Sequence, residues 1–279
     1  MTIKLVRPES VAEAVAALGN GSVALGAGTE LVPLMRERIV VADTLVELRR
    51  AVPKGIRGTT IGAGTTLGEL ELDPTIPDAL REACRLSASP QLRNVGTIGG
   101  NLLQATRCWY WRLKFPCRLH GGAVCHARDG EHREHAIFAN DFCASAHPSD
   151  PAAALLALGA TIRTDRRELP LAELYRLPSE DNRATTTLAK DELIVELDVP
   201  QPDASIYLKA MERQRWAFAL VGVAAARSGA ETRIGLAGVA PIPWLLDSLD
   251  EATPLPGTAY KVQIAEALTS RALKAVKAR

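Results

Sequence analysis

The chain carries no surplus charge of either sign: 33 lysines and arginines stand against 32 acids, leaving +1. A field of that size steers neither nucleic acid nor anionic lipid, which argues against non-specific binding to either. Long apolar runs are missing too. The longest, Trp216 to Ala226, has eleven residues, where a membrane-spanning helix needs about 18 to 20. The opening residues Met1-Thr2-Ile3-Lys4-Leu5-Val6-Arg7-Pro8 hold no hydrophobic core of a signal peptide. The expectation is a soluble protein with no membrane insertion and no export signal of its own. What the chain does have is apolar material, 47% of its 279 residues. That suffices for real cores, excludes wholesale disorder, and at about 150 residues per domain suggests two domains or three.

The five cysteines are ordinary in number but not in placement. Cys108, Cys117, Cys125 and Cys143 fall within 36 residues, and only Cys84 lies outside. The same region holds all five histidines (His120, His126, His132, His135 and His147) and the consecutive Trp109, Tyr110 and Trp111. A large chain without a leader is a poor candidate for a disulfide framework, so a metal or cluster site is the better reading. The cysteine spacings match neither the C-x2-C-x2-C of bacterial ferredoxins nor paired zinc knuckles. Three readings stay open: an iron–sulfur cluster, zinc held by thiolate and imidazole, or buried cysteines that bind nothing. Between Thr106 and Ala136, Arg107, Arg112, Lys114, Arg118, Arg128 and Arg133 outnumber Asp129, Glu131 and Glu134. Such an excess suits an anionic, thiolate-bound cluster. Most of the histidines read as solvated loop residues.

Strands alternate with helices at the start of the chain. Ser10 and Glu13 form a capping box before a helix over Val11 to Leu18, and Gly19 ends it. Short strands over Val23 to Leu25 and Thr44 to Leu48, with a helix from Glu30 between them, suggest a parallel or mixed sheet. Gly26-Ala27-Gly28-Thr29 recurs as Gly62-Ala63-Gly64-Thr65, which implies two strand-to-helix turns built alike. Thr66 and Glu69 cap a helix from Leu67, and residues 77 to 88 form another. Gln91 to Asn101 reads as a glycine-rich loop, and Ser149 caps a helix with Pro151 in its first turn. Pro200-Gln201-Pro202 marks a boundary. Beyond it, strands are expected near Ser205 to Met211 and Arg233 to Val239, after one at Leu193 to Val199. Helices are expected at Phe218 to Arg227 and Ala259 to Lys277.

Two glycine-rich turns, Leu25 to Leu31 and Gly96 to Asn101, can converge backbone N–H groups on a phosphate. Neither is G-x-G-x-x-G followed by a ribose-binding acid, and neither has a P-loop lysine, so a Rossmann site and an NTPase are poorly supported.

Taken in order, Gly26-Ala27-Gly28-Thr29-Glu30-Leu31, Arg93-Asn94-Val95-Gly96-Thr97-Ile98-Gly99-Gly100-Asn101-Leu102, Tyr207-Leu208-Lys209 and Ala217-Phe218-Ala219-Leu220-Val221 resemble the FAD-binding subunit of molybdenum hydroxylases. This is the xanthine dehydrogenase and aldehyde oxidoreductase group, and the likeness spans nearly the whole chain. The insertion from Arg107 to Asp150 resembles the flavin subunits of the periplasmic aldehyde oxidoreductase type and, more distantly, of hydroxybenzoyl-CoA reductase. The resemblance implies an α+β chain. Its FAD-binding fold would have two subdomains, PCMH or vanillyl-alcohol-oxidase-like and not Rossmann, followed by a C-terminal α+β domain. It places subdomain 1 at residues 1–55, subdomain 2 at 56–200 with the cysteine insertion at about 106–146, and a shortened C-terminal domain at 201–279.

The resemblance also implies the site. FAD would lie on Ala27, Gly28, Thr29, Glu30 and Leu31, with Thr97, Gly99, Gly100 and Asn101 closing from the other side and Asp150 and Lys209 contributing further contacts. A [4Fe–4S] cluster would be held by Cys108, Cys117, Cys125 and Cys143, leaving Cys84 as a core residue. Relatives often read Gly-Gly-Thr-Asp or Gly-Gly-Thr-Asn where this chain has Ala27-Gly28-Thr29-Glu30, and often carry tyrosine at the position of Trp216. The implied partners are a molybdopterin-binding large subunit, a [2Fe–2S] small subunit and an external electron acceptor. The implied compartment is the cytoplasm, or the periplasm by co-export with a partner. Two rival readings are a zinc-stabilised docking module without flavin and a stand-alone flavin reductase or oxidase.

Overall fold

The computed structural model describes residues 3–213 and 216–278. The chain begins with Lys4–Val6 (β1), Val11–Ala17 (α1), Ser22–Leu25 (β2), Leu31–Arg36 (α2) and Thr44–Glu47 (β3). The strands form a parallel sheet in the order β1-β3-β2. Helical crossovers make parallel pairing possible, since a tight turn can join only antiparallel neighbours. Only half of the expected first capping box is present. Ser10 accepts the Glu13 N–H, but the Glu13 carboxylate takes the N–H of Glu9.

A five-stranded antiparallel sheet follows, in the order β4-β5-β8-β6-β7. Its strands are Ile56–Arg57 (β4), Thr60–Gly62 (β5), Thr161–Thr164 (β6), Glu168–Pro170 (β7) and Ile194–Asp198 (β8). Between β5 and β6 run Leu67–Leu72 (α3), Asp78–Leu86 (α4), Pro90–Arg93 (α5), Ile98–Leu102 (α6), Trp109–Arg112 (α7), His126–Asp129 (α8) and Asp150–Leu158 (α9). Thr66 and Glu69 make the complete capping box on α3. The expected loop from Gln91 to Asn101 is instead two short helices joined by a turn, because Ser89 and Thr97 each cap one with a side-chain oxygen.

Leu171–Leu174 (α10) precedes β8, and the last unit holds Ala204–Ala210 (β9), Val221–Ser228 (β10), Glu231–Ala237 (β11), Trp244–Leu245 (β12) and Tyr260–Lys277 (α11). Its antiparallel sheet has the order β12-β11-β10-β9. The helix expected over Phe218 to Arg227 is therefore wrong: this segment contains the central strand β10. The reason is double-sided burial. Val221, Val223 and Ala225 face the core that α11 covers, while Ala224 and Ala226 face the core that holds α9. A strand buried on both faces reads as an unbroken apolar run and hides its period of two.

Helix α9 is buried at every residue. It lies so close to the last sheet that a Cβ on Gly235 would come within 2.0 Å of the Ala153 carbonyl oxygen. The main core accordingly runs from Val52 to Ala237, across the Pro200-Gln201-Pro202 segment. Cys84 sits inside it, fully buried. Among the described residues, no helix is long and apolar enough to cross a membrane.

Candidate functional site

The two glycine-rich turns meet. Gly28 takes the left-handed conformation (φ +79) as the chain leaves β2 for α2. A Cβ on Gly26 would lie 3.4 Å from Thr97 Oγ1, and one on Gly96 would lie 3.8 Å from Thr29 Oγ1. The expected likeness to Gly62-Ala63-Gly64-Thr65 does not extend to the backbone. There no glycine has positive φ, and Gly62 and Gly64 are needed because the Pro53 carbonyl oxygen presses against them.

The turns differ in what their amides do. In the second, Ile98 N–H donates to Thr65 O, Gly99 N–H to Ala63 O and Asn101 N–H to Thr97 O; Gly100 N–H donates to Thr97 Oγ1. Those donors are already used. In the first, Gly28 O and Glu30 O accept from Val32 and Leu34, but the N–H groups of Ala27, Gly28, Thr29 and Glu30 have no backbone acceptor among the described residues. Ala27 and Thr29 are exposed. Unspent amides around a positive-φ glycine form a concavity suited to anionic oxygen.

Glu30 stands where the resemblance implies a shorter acid or amide, and the structure shows what its carboxylate reaches. Its carboxylate pairs with Arg107 and Arg112, each at 2.7 Å. Both arginines belong to the cysteine insertion, so the first glycine turn and the insertion are tied by charge. Much of the cationic excess of this segment is engaged in such contacts. Arg107 and Arg112 serve Glu30, Arg128 donates to Asn140 O, and Arg133 pairs with Glu212. Of these cations only Arg118 lines the cysteine cavity.

That cavity gathers all four clustered cysteines, lined by Cys108, Cys117, Cys125 and Cys143 with no acidic side chain among its walls. Burial pushes the Cys108 thiol up to about 11 and the Cys143 thiol up to about 12, and the neighbouring cysteines push the same way. Thiols so placed ionise only when a cation or cluster compensates them. Among the described residues, no three His, Cys, Asp or Glu side chains are placed around a position for one metal ion.

Asp150 and Lys209 meet each other. Lys209 Nζ lies 2.7 Å from Asp150 Oδ2, with side chains 1% and 3% exposed. Tyr207 donates to Asp150 Oδ1 at 2.5 Å, Ser87 donates to Oδ2, and Lys209 also donates to Leu86 O. Asn101 joins this end of the site through Ser149, whose hydroxyl donates to Asn101 Oδ1 at 2.5 Å.

Two of the five histidines are buried, His135 and His147. His147 accepts the Ser149 N–H at Nδ1, and desolvation pushes its pKa down to about 3. It stays neutral in the fold, while in the unfolded chain it takes up a proton below about 6.5. Its contribution to stability is present at neutral pH and is lost as pH falls from about 6.5 towards 3, at about 1.4 kcal/mol per pH unit. Urea denaturation at pH 7 and pH 5 should therefore show His147→Gln losing about 2 kcal/mol less than the parent chain across that interval. Equal losses would mean that His147 takes up its proton in the fold as readily as in the unfolded chain.

Sequence reasoning missed the partners of these residues: Tyr207 on Asp150, Arg107 and Arg112 on Glu30, and His135 beside Cys108. Only Glu30 carried a signal, its unusual length. A second cavity, of about 210 Å³, opens beside the insertion. Arg107, His135, His147, Trp216 and Phe218 line it together with Cys108, which thus belongs to both cavities.

A model of the FAD binding domain in molybdopterin dehydrogenase matches residues 1–202. The aldehyde oxidoreductase FAD-binding subunit PaoB of Escherichia coli (strain K12) is 34% identical over 250 residues, 82% of this chain and 78% of that one. The carbon monoxide dehydrogenase medium chain of Hydrogenophaga pseudoflava is 43% identical over 107 residues, 34% of this chain and 37% of its own. Among solved structures, the carbon monoxide dehydrogenase of that organism lacking the Mo-pyranopterin moiety matches with a TM-score of 0.70 at 24% identity. The match covers 100% of this chain and 98% of that one. Quinoline 2-oxidoreductase from Pseudomonas putida 86 matches with a TM-score of 0.66 at 19% identity, again over 100% and 98%. These structural likenesses establish the α+β fold.

Proposed function

Because the chain belongs to the family of FAD-binding domains of molybdopterin dehydrogenases, we propose that it is an electron-transfer subunit of an aldehyde oxidoreductase type of complex, carrying FAD and a [4Fe–4S] cluster. It is a flavoprotein subunit of a multi-subunit molybdenum oxidoreductase. In this reading a large subunit with molybdopterin oxidises the organic substrate, a small subunit with [2Fe–2S] clusters delivers electrons, and an external acceptor removes them.

The observation that carries the FAD assignment is the set of unspent amides of the first glycine turn, facing Thr97 of the second. Ala27, Gly28, Thr29, Glu30 and Leu31 would bind the pyrophosphate through main-chain donors, leaving the Glu30 carboxylate to its two arginines. Thr97 and Asn101 would add side-chain contacts, while Gly99 and Gly100 keep the second turn close by lacking side chains. Asp150 and Lys209, neutralising each other, would brace the wall near Asn101 through Ser149. FAD, when bound, exchanges single electrons for electron pairs.

For the cluster, the support is the convergence of four cysteines on one cavity without competing carboxylates. Cys108, Cys117, Cys125 and Cys143 would hold it, and the thiolates of Cys108 and Cys143, costly when bare, would be compensated by iron. This reading keeps subdomains at 1–55 and 56–200 and a C-terminal domain at 201–279, with the main core shared across residue 200. The visible absorption spectrum of the purified chain, with iron and zinc analysis, tests the whole reading. Flavin bands over a broad iron–sulfur shoulder with about four irons per chain are expected. Zinc without flavin would overturn it in favour of a docking module.

A further inference from the structure

We propose that the His135 imidazole donates an N–H···S hydrogen bond to Cys108 and thereby raises the reduction potential of the cluster that this cysteine would hold. This rests on the cluster reading above. His135 Nε2 lies 3.3 Å from Cys108 Sγ. The other ring nitrogen, Nδ1, is buried and makes no hydrogen bond among the described residues, which leaves Cys108 Sγ as the hydrogen-bond partner of the ring. The ring is held in place. Trp109 meets it edge-on, with ring centroids 4.8 Å apart at 86°.

The main chain on either side is clamped from α11. Lys261, fully buried, donates from Nζ to three carbonyl oxygens, of His135 (2.8 Å), Glu134 (3.2 Å) and Gly238 (2.6 Å). A fully buried lysine is rare unless it is paired, and this one fixes the residue that touches a cysteine sulfur. Hydrogen bonds to ligand sulfur stabilise the more negative, reduced cluster and raise its potential. Cys108 is also the cysteine that lines the 210 Å³ cavity. The donor therefore acts at the sulfur through which the two spaces communicate. His135 is a positioning and tuning residue, acting through Cys108.

The test uses the whole chain loaded with iron and FAD, with the cluster titrated potentiometrically and followed by electron paramagnetic resonance. His135→Leu should keep about four irons per chain and titrate at a lower potential. His135→Gln, which keeps an N–H donor, should recover part of the shift. A His135→Leu chain with full iron and the parental potential would overturn the proposal. Should His135→Leu lose iron, the parent chain labelled with ¹⁵N-histidine decides. Its reduced cluster should show a nitrogen coupling that His126→Gln keeps and His135→Gln loses, and absence of that coupling would overturn the inference. A parent chain without iron would instead sink the cluster reading itself.

Discussion

Gly99→Val is expected to leave the purified chain without bound FAD. A glycine in such a turn can serve a positive φ or a close backbone approach, and the structure shows the second. Gly99 lies within α6 and has no positive φ. A Cβ there would come within 3.0 Å of the Ala63 Cβ and 3.1 Å of the Ala63 carbonyl oxygen, the same oxygen that accepts the Gly99 N–H. Valine adds two further methyl groups to that contact. Overpacking of this kind costs about 1–3 kcal/mol. The strain is relieved by moving Thr97 to Asn101 away from Ala63, and with them Thr97 Oγ1, which closes on Gly26. Each 1.4 kcal/mol charged to binding weakens FAD by about tenfold. Gly99→Ala, whose single methyl asks Ala63 to yield by a few tenths of an ångström, should retain part of its flavin. The readout is flavin absorbance co-eluting with the chain on gel filtration, and full occupancy in the valine variant would refute the close-approach argument.

Cys117→Ser should cut iron to well below about four per chain while FAD stays bound. Cys117 is buried, pairs with Val124 in a parallel bridge and lines the cavity with the other three cysteines. Serine fits the same space, but its hydroxyl is a poor substitute for a thiolate ligand, so the cluster should be lost and the loop retained. FAD should persist because the first glycine turn is carried by β2 and α2, and its link to the insertion runs through Glu30, Arg107 and Arg112 instead. Cys84→Ser serves as the control. That residue is in the main core, away from the cavity, and the variant should keep its iron. Unchanged iron in Cys117→Ser would remove the cluster assignment.

Local chemistry was legible where a residue acts on its own neighbours. Thr66 with Glu69, Ser149 with Pro151, and the alternation of strand and helix up to Thr44 all appear in the structure close to where the residues place them. The two caps are contacts over three positions, Thr66 with Glu69 and Ser149 with Ala152, decided by hydrogen-bond geometry that any chain shares. The error at Phe218 to Arg227 has the opposite origin. β10 is apolar on both faces because α9 and α11 cover it from both sides, and nothing within those ten residues records what covers them.

The same division runs through the site. Residue types, motif order and the crowding of cysteines into one segment were enough to name the glycine turns and the four candidate ligands. Folding alone brings Thr97 beside Gly26 and Arg107 and Arg112 onto Glu30. It likewise sets Tyr207 on Asp150, and His135 against Cys108 under the grip of Lys261. These partners stand far apart in the chain and have no spacing rule, because burial of charge and polar groups, not local geometry, forces them together.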